Sequence, residues 1–343
     1  MHPRLSALFV LLPSFALAQP PAGYYDPAAG LSGEALRQAL YGIINGHTVI
    51  TNSMLWEAYY ETDRKPDNTV WDMYSDVPGG TPPYVYQFVV DQCGTYDGEG
   101  DCFNREHSFP QSWFNSAAPM GTDLFHLYPT DAWVNQKRAN WPYGEVNAPT
   151  WTSQNGGKLG PCAYPGCSGT VFEPIDAYKG DLARGYFYML TRYLPDLGNW
   201  PCPMMADGEF LPWAEAMLVE WHLQDPVSPK EVDRNNAVFG IQDNRNPYID
   251  HPEWVTAIWG PTAGLTERTA YLAGLWWDGE RLHLRNTLAG EAYTLTMTDA
   301  TGRTVGTWTV RGDVGGLPLP EGSGLYLVTL QGSGIRSTLR VVR

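Results

Sequence analysis

Two short stretches do most to limit how this chain can fold. The first is Asn104-Arg-Glu106-His107-Ser-Phe-Pro110-Gln-Ser-Trp113, and the second runs from Asp123-Leu-Phe125-His126-Leu-Tyr-Pro129 to Val134-Asn135-Gln-Lys137-Arg138-Ala-Asn140. Neighbouring side chains on a regular strand point to opposite faces, so Glu106 and His107 can share one site only at a strand end or a bulge. Asn135, 28 residues after His107, then has to arrive on a helix packed across that strand. The combination asks for a β-hairpin followed by a helix.

The same three side chains define a chemistry. Hydrolysis of a phosphodiester needs an activated water, relief of charge on the phosphoryl oxygens and a stabilised leaving oxygen. His107 suits the first task, because neutral imidazole accepts a proton near neutral pH. Glu106 and Asn135 suit the other two, since carboxylate and amide oxygens hold Mg²⁺, with Mn²⁺ or Ca²⁺ accepting the same donors. With only two protein ligands such an ion keeps positions open for water and substrate.

These residues resemble the active site of the bacterial endonuclease I family, a branch of the ββα-metal (His-Me finger) nucleases. The likeness continues through Phe172-Glu-Pro-Ile-Asp-Ala-Tyr-Lys-Gly-Asp-Leu-Ala-Arg184 and Ile241-Gln-Asp-Asn-Arg245-Asn-Pro-Tyr-Ile-Asp250-His-Pro252, so it covers about residues 30–260. It implies an α+β fold with a helix-rich ββα-metal nuclease domain, and secreted, largely sequence-independent cleavage of DNA, with RNA as a second substrate. It also implies that His107 is the general base and that Glu106 and Asn135 bind metal. Arg138 is expected to steady the phosphate, although Asp131 or Glu145 could pair with it instead. Lys137, Asn140, His126 and Arg245 are the remaining substrate candidates. The alternatives stay open for three of them: a buried core histidine for His126, a brace at the helix end for Asn140, and a turn residue for Arg245 between Asn244 and Asn246. Many relatives carry a His where this chain has Phe125. A monomer is expected. The rival reading is a surface adhesion or glycan-binding protein whose nuclease-like domain is catalytically silent.

Charge is the obstacle to a nucleic-acid substrate, because phosphate backbones attract Lys and Arg. Residues 19–261 hold 13 Lys and Arg against 30 Asp and Glu, whereas residues 262–343 hold 8 against 7. Within the acidic part, the window 134–192 carries six cations, Lys137, Arg138, Lys158, Lys179, Arg184 and Arg192, against four carboxylates. That window is the expected substrate groove.

The termini and cysteines bear on compartment. Residues 1–18 carry Arg4, the apolar run Leu8–Leu12 and a small-residue end at Ala18, the layout of a secretory signal peptide. No stretch reaches the roughly 20 apolar residues a membrane-spanning helix needs. In an oxidising compartment five cysteines point to disulfides. Cys93 and Cys102 bracket one short segment and Cys162 and Cys167 another, so each bracket is expected to close, leaving Cys202. A zinc site competes less well, because neither spacing is Cys-x2-Cys.

Along the chain, helical spacing begins after Ser32 with Leu36, Leu40, Ile43 and Ile44. Tyr84–Val90, rich in aromatic and β-branched residues, reads as a strand. A helix start is expected near Thr130, and another helix over Lys179–Leu194, stopped by Pro195. Ser228-Pro-Lys-Glu231 and Asp250-His-Pro-Glu253 both fit a capping box. Trp113 and Trp141 lie near enough to the motif in sequence to stack on bases.

After Pro261 the pattern changes to short alternating stretches, Arg281–Leu284, Tyr293–Met297, Thr304–Val310 and Leu325–Leu330, separated by turn residues. The expected organisation is therefore a signal peptide at 1–18, a catalytic domain at 19–261 and a small all-β sandwich at 262–343. Through Asp299-Ala-Thr-Gly-Arg303, Gly324-Leu-Tyr-Leu-Val-Thr-Leu330 and the ending Leu339-Arg-Val-Val-Arg343, this last part resembles type IX secretion sorting domains. That resemblance implies an address read by export machinery.

Overall fold

The computed structural model describes residues 20–260 and, beyond them, 274–277, 282–285, 292–311, 314–317, 324–332 and 335–342. The signal-peptide segment lies outside the described residues. Those up to Gly260 form one compact unit and those from Gly274 onward a second.

The first unit opens with α1 (Gly33–Ile44), whose Leu36, Leu40 and Ile44 recur on one face and are buried. α2 (Leu55–Thr62) follows. Next come β1 (Phe103–His107), β2 (Leu127–Asp131) and α3 (Ala132–Arg138). The short strands β3 (Trp151–Thr152), β4 (Lys158–Pro161) and β5 (Thr170–Glu173) form an antiparallel sheet in that order. Then α4 (Lys179–Arg192), the two-residue strands β6 (Met205–Ala206) and β7 (Glu209–Phe210), and four helices complete the unit. Those helices are α5 (Pro212–Gln224), α6 (Pro229–Gln242), α7 (Pro247–Asp250) and α8 (Glu253–Trp259). This mixture agrees with an α+β class.

α4 is the axis of the core, with every one of its residues buried. Burying a charge is costly unless it is paired. Arg184 accordingly grips Glu231 on α6 with both arms, Nε to Oε1 at 2.5 Å and Nη2 to Oε2 at 2.9 Å, while Asp181 accepts from Lys230 at 2.8 Å. Gly180 is required by close approach: a Cβ there would lie 2.1 Å from the carbonyl oxygen of Asp225. Ser228 and Glu231 close the expected capping box at the start of α6.

The helix start expected near Thr130 is found: Asp131 caps α3, and Thr130 lies within β2. Two local expectations are corrected. Tyr84–Val90 contributes only a bridge between Gln87 and Thr69, because the chain turns at Val89, which takes φ 71°, and leaves Val89 and Val90 79% exposed. Asp250 caps nothing: it ends α7, and its carboxylate binds Arg245 and Tyr25. Both expected disulfides are present, Cys93 with Cys102 and Cys162 with Cys167, and Cys202 is free and buried.

In the second unit β8 (Gly274–Trp277), β9 (Leu282–Arg285) and β12 (Val314–Leu317) form one antiparallel sheet. β10 (Ala292–Asp299), β11 (Thr304–Arg311), β13 (Leu325–Gly332) and β14 (Ile335–Val342) form another in the order β11-β10-β13-β14. Tyr293, Leu295 and Met297 alternate inward on β10 and share one core with Val328, Leu330 and Val341.

Candidate active site

β1 and β2 pair antiparallel with Glu106 opposite Tyr128 and His107 opposite Leu127. Phe103 anchors β1 by packing its ring against Trp56 at 5.8 Å and Tyr86 at 5.7 Å between centroids. β2 passes directly into α3 because Asp131 ends one and caps the other. Its Oδ1 accepts from Val134 N–H at 2.7 Å, and its Oδ2 accepts from Tyr86 Oη at 2.6 Å and Gly100 N–H at 2.8 Å. The Asp131 N–H donates to Asp72 Oδ2 at 3.0 Å, and Ala132 N–H donates to the carbonyl of disulfide-bonded Cys102 at 3.0 Å. All the bonds of this junction except that from exposed Gly100 lie between buried groups, where an unmade one would be costly. Asp72 itself is held up to about 7 by burial, with the Asp131 charge adding to it.

On α3, residues 135 and 138 are one turn apart and face β1 together. Asn135 Nδ2 donates to Asn104 Oδ1 at 2.7 Å and to the Arg105 carbonyl at 3.3 Å. Both amide hydrogens are thus directed at β1, beside Glu106, and the amide oxygen is left for another partner. Glu106 is 3% exposed, and it accepts on Oε1 from Tyr74 Oη at 2.8 Å and Arg138 Nη1 at 3.0 Å. Those two bonds leave Oε2. Burial pushes the Glu106 carboxyl up to about 7, against the pull of Arg138. A free carboxylate oxygen and a free amide oxygen are the donor set that a hard divalent ion takes. Among the described residues no cluster of three His, Cys, Asp or Glu side chains forms a cage.

His107 is the last residue of β1, the strand-end position that the sequence called for. Its Nε2 lies 3.1 Å from the Gly121 carbonyl and 2.9 Å from the Gln111 side-chain amide. A carbonyl can only accept, so the Gly121 contact puts the proton on Nε2; the Gln111 Nε2 that faces it is a donor too and makes no hydrogen bond to that tautomer. The unprotonated nitrogen is then Nδ1. Burial, and next the neighbouring His126, hold the imidazole down to about 3, so it is neutral at pH 7.

The other candidates divide. Arg138 is completely buried: besides Glu106 it donates to the carbonyls of His107 at 2.8 Å and Ser108 at 2.5 Å, and it lies over the Tyr143 ring. It cannot reach a phosphate, and the expectation that it steadies one is corrected; it braces Glu106. Arg245 is likewise buried against Asp250, at 2.6 and 2.7 Å, so it is a structural residue and not a substrate contact. His126 is fully buried with Nε2 2.7 Å from the Met120 carbonyl, which makes it a core histidine. Trp113 is buried as well. Lys137, half-buried over the Trp133 ring, Asn140, exposed and 3.4 Å from Ser112 Oγ, and Trp141, 41% exposed, remain accessible.

The groove expected in the window 134–192 is corrected too. Arg138 pairs with Glu106, Lys158 with Glu173, Lys179 with Glu145, Glu173 and Asp176, and Arg184 with Glu231, while Arg192 is buried beside His47. The charge of four of the six is consumed in ion pairs; of the other two, Arg192 is buried and Lys137 alone stays accessible and free of carboxylates among the described residues.

Sequence reasoning missed Tyr74, Asp72 and Asp131. An Asp directly before a helix is a capping signal that could have marked Asp131. Tyr74 had no local signal, since its meeting with Glu106 spans 32 residues.

Comparison with known proteins adds a second line of evidence. The family model described as Endonuclease I matches residues 32–253. An extracellular ribonuclease of Bacillus amyloliquefaciens is 39% identical over 252 residues, 69% of this chain and 78% of that protein. An extracellular ribonuclease of Bacillus subtilis (strain 168) is 35% identical over 253 residues, with the same coverage. An extracellular deoxyribonuclease of Aeromonas hydrophila is 25% identical over 166 residues, 46% of this chain and 59% of that protein.

Proposed function

Because the chain belongs to the endonuclease I family, on a match spanning more than half of it, we propose that this endonuclease is exported and cleaves both DNA and RNA with one divalent cation, Mg²⁺ foremost and Mn²⁺ or Ca²⁺ as substitutes. Glu106 Oε2 and Asn135 Oδ1 hold the ion. When bound it supplies Lewis-acid relief of the charge on the phosphoryl and leaving oxygens. His107 takes a proton from the attacking water at Nδ1, with the Gly121 carbonyl fixing the tautomer. Arg138 and Tyr74 keep Glu106 in place. Lys137 and Asn140 meet the substrate from the exposed side of α3.

The observation that supports this reading best is the tie of Asn135 to β1, where its amide nitrogen donates to Asn104 Oδ1 and to the Arg105 carbonyl, the two residues before Glu106. RNA joins DNA as substrate because similar proteins are called ribonuclease or deoxyribonuclease. Those relatives are extracellular by name, which supports export, and no helix among the described residues is long and apolar enough to cross a membrane. We assign catalysis to residues 19–261, an export address to residues 262–343 and a monomeric state.

Supercoiled plasmid and a structured RNA, each incubated with and without EDTA, test the reading. The wild type is expected to cut both, EDTA to stop it, and His107→Ala to lose at least about a hundredfold, the scale of a general base. Cleavage that survives EDTA and the His107 change equally contradicts it, as does no cleavage at all, which a silent glycan-binding protein would give.

A further inference from the structure

A unit with 30 acidic against 13 basic residues needs somewhere to grip a polyanion, and the structure narrows where. Among the described residues of this unit, Arg37, Lys65, Arg138, Lys158, Lys179, Arg184, Lys230, Arg234 and Arg245 are spent in ion pairs. Four cations are not: Arg64, Arg105, Lys137 and the buried Arg192. Of these Arg105 is the one built into β1, between Asn104 and Glu106 and two residues from His107.

Its side chain is already held. Nη1 donates to the Asn52 carbonyl at 3.0 Å and to Asn52 Oδ1 at 2.7 Å, and the guanidinium lies 5.1 Å over the Trp56 ring. Arg105 lies two residues before His107 on β1, and its side chain turns to Asn52 and Trp56, whereas the Glu106 side chain turns to Tyr74 and Arg138. Both acceptors are neutral and both fall on one nitrogen. Nε and Nη2 keep their hydrogens for another group, and Arg105 is half-buried, so that edge is open. A fixed guanidinium with one edge free and no carboxylate partner is suited to bidentate capture of a phosphate.

We propose that Arg105, oriented by Asn52 and Trp56, is the residue that grips a backbone phosphate of the substrate next to the scissile bond. This rests on the nuclease reading of Glu106, His107 and Asn135. It gives the acidic unit a fixed cation at the site, the role that buried Arg138 cannot fill.

The test is fluorescence anisotropy with a labelled single-stranded DNA oligonucleotide and Mg²⁺ in the cleavage-dead His107→Ala protein, titrated over a range of NaCl. Adding Arg105→Gln is expected to weaken binding about 5- to 20-fold and to lower the slope of log Kd against log salt by about 0.7, one single-strand phosphate contact. Arg105→Lys should keep the slope but lose about threefold or more in affinity, since a point charge replaces a fork. Asn52→Ala should weaken binding at an unchanged slope, because the charge stays and only its orientation is lost. Unchanged affinity and slope in Arg105→Gln overturn the proposal; should that protein fail to fold, unchanged affinity in both Arg105→Lys and Asn52→Ala does so. Absence of measurable binding by the His107→Ala protein overturns it too. Plasmid cleavage by the wild type, run in parallel, shows separately whether the nuclease reading stands.

Discussion

Arg138 separates the two ways a cation can serve this site. With a buried carboxylate and two backbone carbonyls on its guanidinium, it fixes the Glu106 rotamer and the turn after His107, and it never meets solvent. Arg138→Met should therefore cost about 3 kcal/mol of stability, the scale for leaving a buried partner charge unpaired. In a His107→Ala background and in EDTA, where the ion held by Glu106 plays no part, it should leave oligonucleotide affinity within about twofold. Urea unfolding and anisotropy check the two halves, and a loss of affinity as large as that for Arg105→Gln would mean that Arg138 reaches substrate after all. At this scale the sequence was legible where the chemistry is local. Glu106, His107 and Asn135 could be picked out because their types and spacing are specific, and the structure places Asn135 against the same strand. Arg138 and Arg245 were misread because burial is a tertiary property: Glu106 lies 32 residues from Arg138, and although Asp250 is only five residues after Arg245, the enclosure of that pair shows only in the fold. Arg105 was overlooked for the converse reason, since being left unpaired shows only once every other cation has been accounted for.

Among the elements, α3 matters most, because one residue joins it to β2. Asp131→Ala removes the helix cap and orphans the Tyr86 hydroxyl and the Gly100 amide. Cap loss alone is about 1 kcal/mol and the stranded buried Tyr86 hydroxyl about 1 more, while water replaces the bond of exposed Gly100, so about 2 kcal/mol in all is expected by urea unfolding, with the denaturant slope unchanged. A loss under about 1 kcal/mol would show that α3 is held from elsewhere. α4, α5 and α6 meet around Arg184, whose Nη1 lies 3.2 Å from His222 Nδ1 on α5. Burial, then the Arg184 charge, depress His222 to about 4 from its ordinary 6.5. A depressed folded pKa means that the unfolded chain takes up the proton first, so this contribution is complete above pH 6.5 and lost as pH falls towards 4. The stability advantage of the wild type over His222→Gln should shrink by about 2 kcal/mol between pH 7 and pH 4.5; an advantage that grows on acidification contradicts the assignment. α1 and α6 were readable from apolar spacing and a capping box. Tyr84–Val90 was not, because strand propensity reports fit to a half-buried pleated surface, and this segment found no partner strand. Asp250 matched the letters of a cap, but Arg245 is a stronger claim on its carboxylate.

For the molecule as a whole, acidity and substrate pull in opposite directions. A field set by the excess of carboxylates opposes long-range capture of nucleic acid, and most cations are locked inside the fold. On the proposed reading, binding would rest on the few groups at the site, Arg105, Lys137 and a divalent ion that would also offset the charge of Glu106. Net charge was readable from composition, whereas its neutralisation in buried pairs required the fold. The disulfide pattern was readable because each bridge closes within ten residues. The central claim is that one cation sits between a carboxylate from β1 and an amide from α3. Anomalous diffraction from a crystal of His107→Ala soaked in Mn²⁺ measures it directly: a single peak about 2.2 Å from Glu106 Oε2 and Asn135 Oδ1 is predicted, and a peak at other residues, or none near this pair at saturating Mn²⁺, would contradict it.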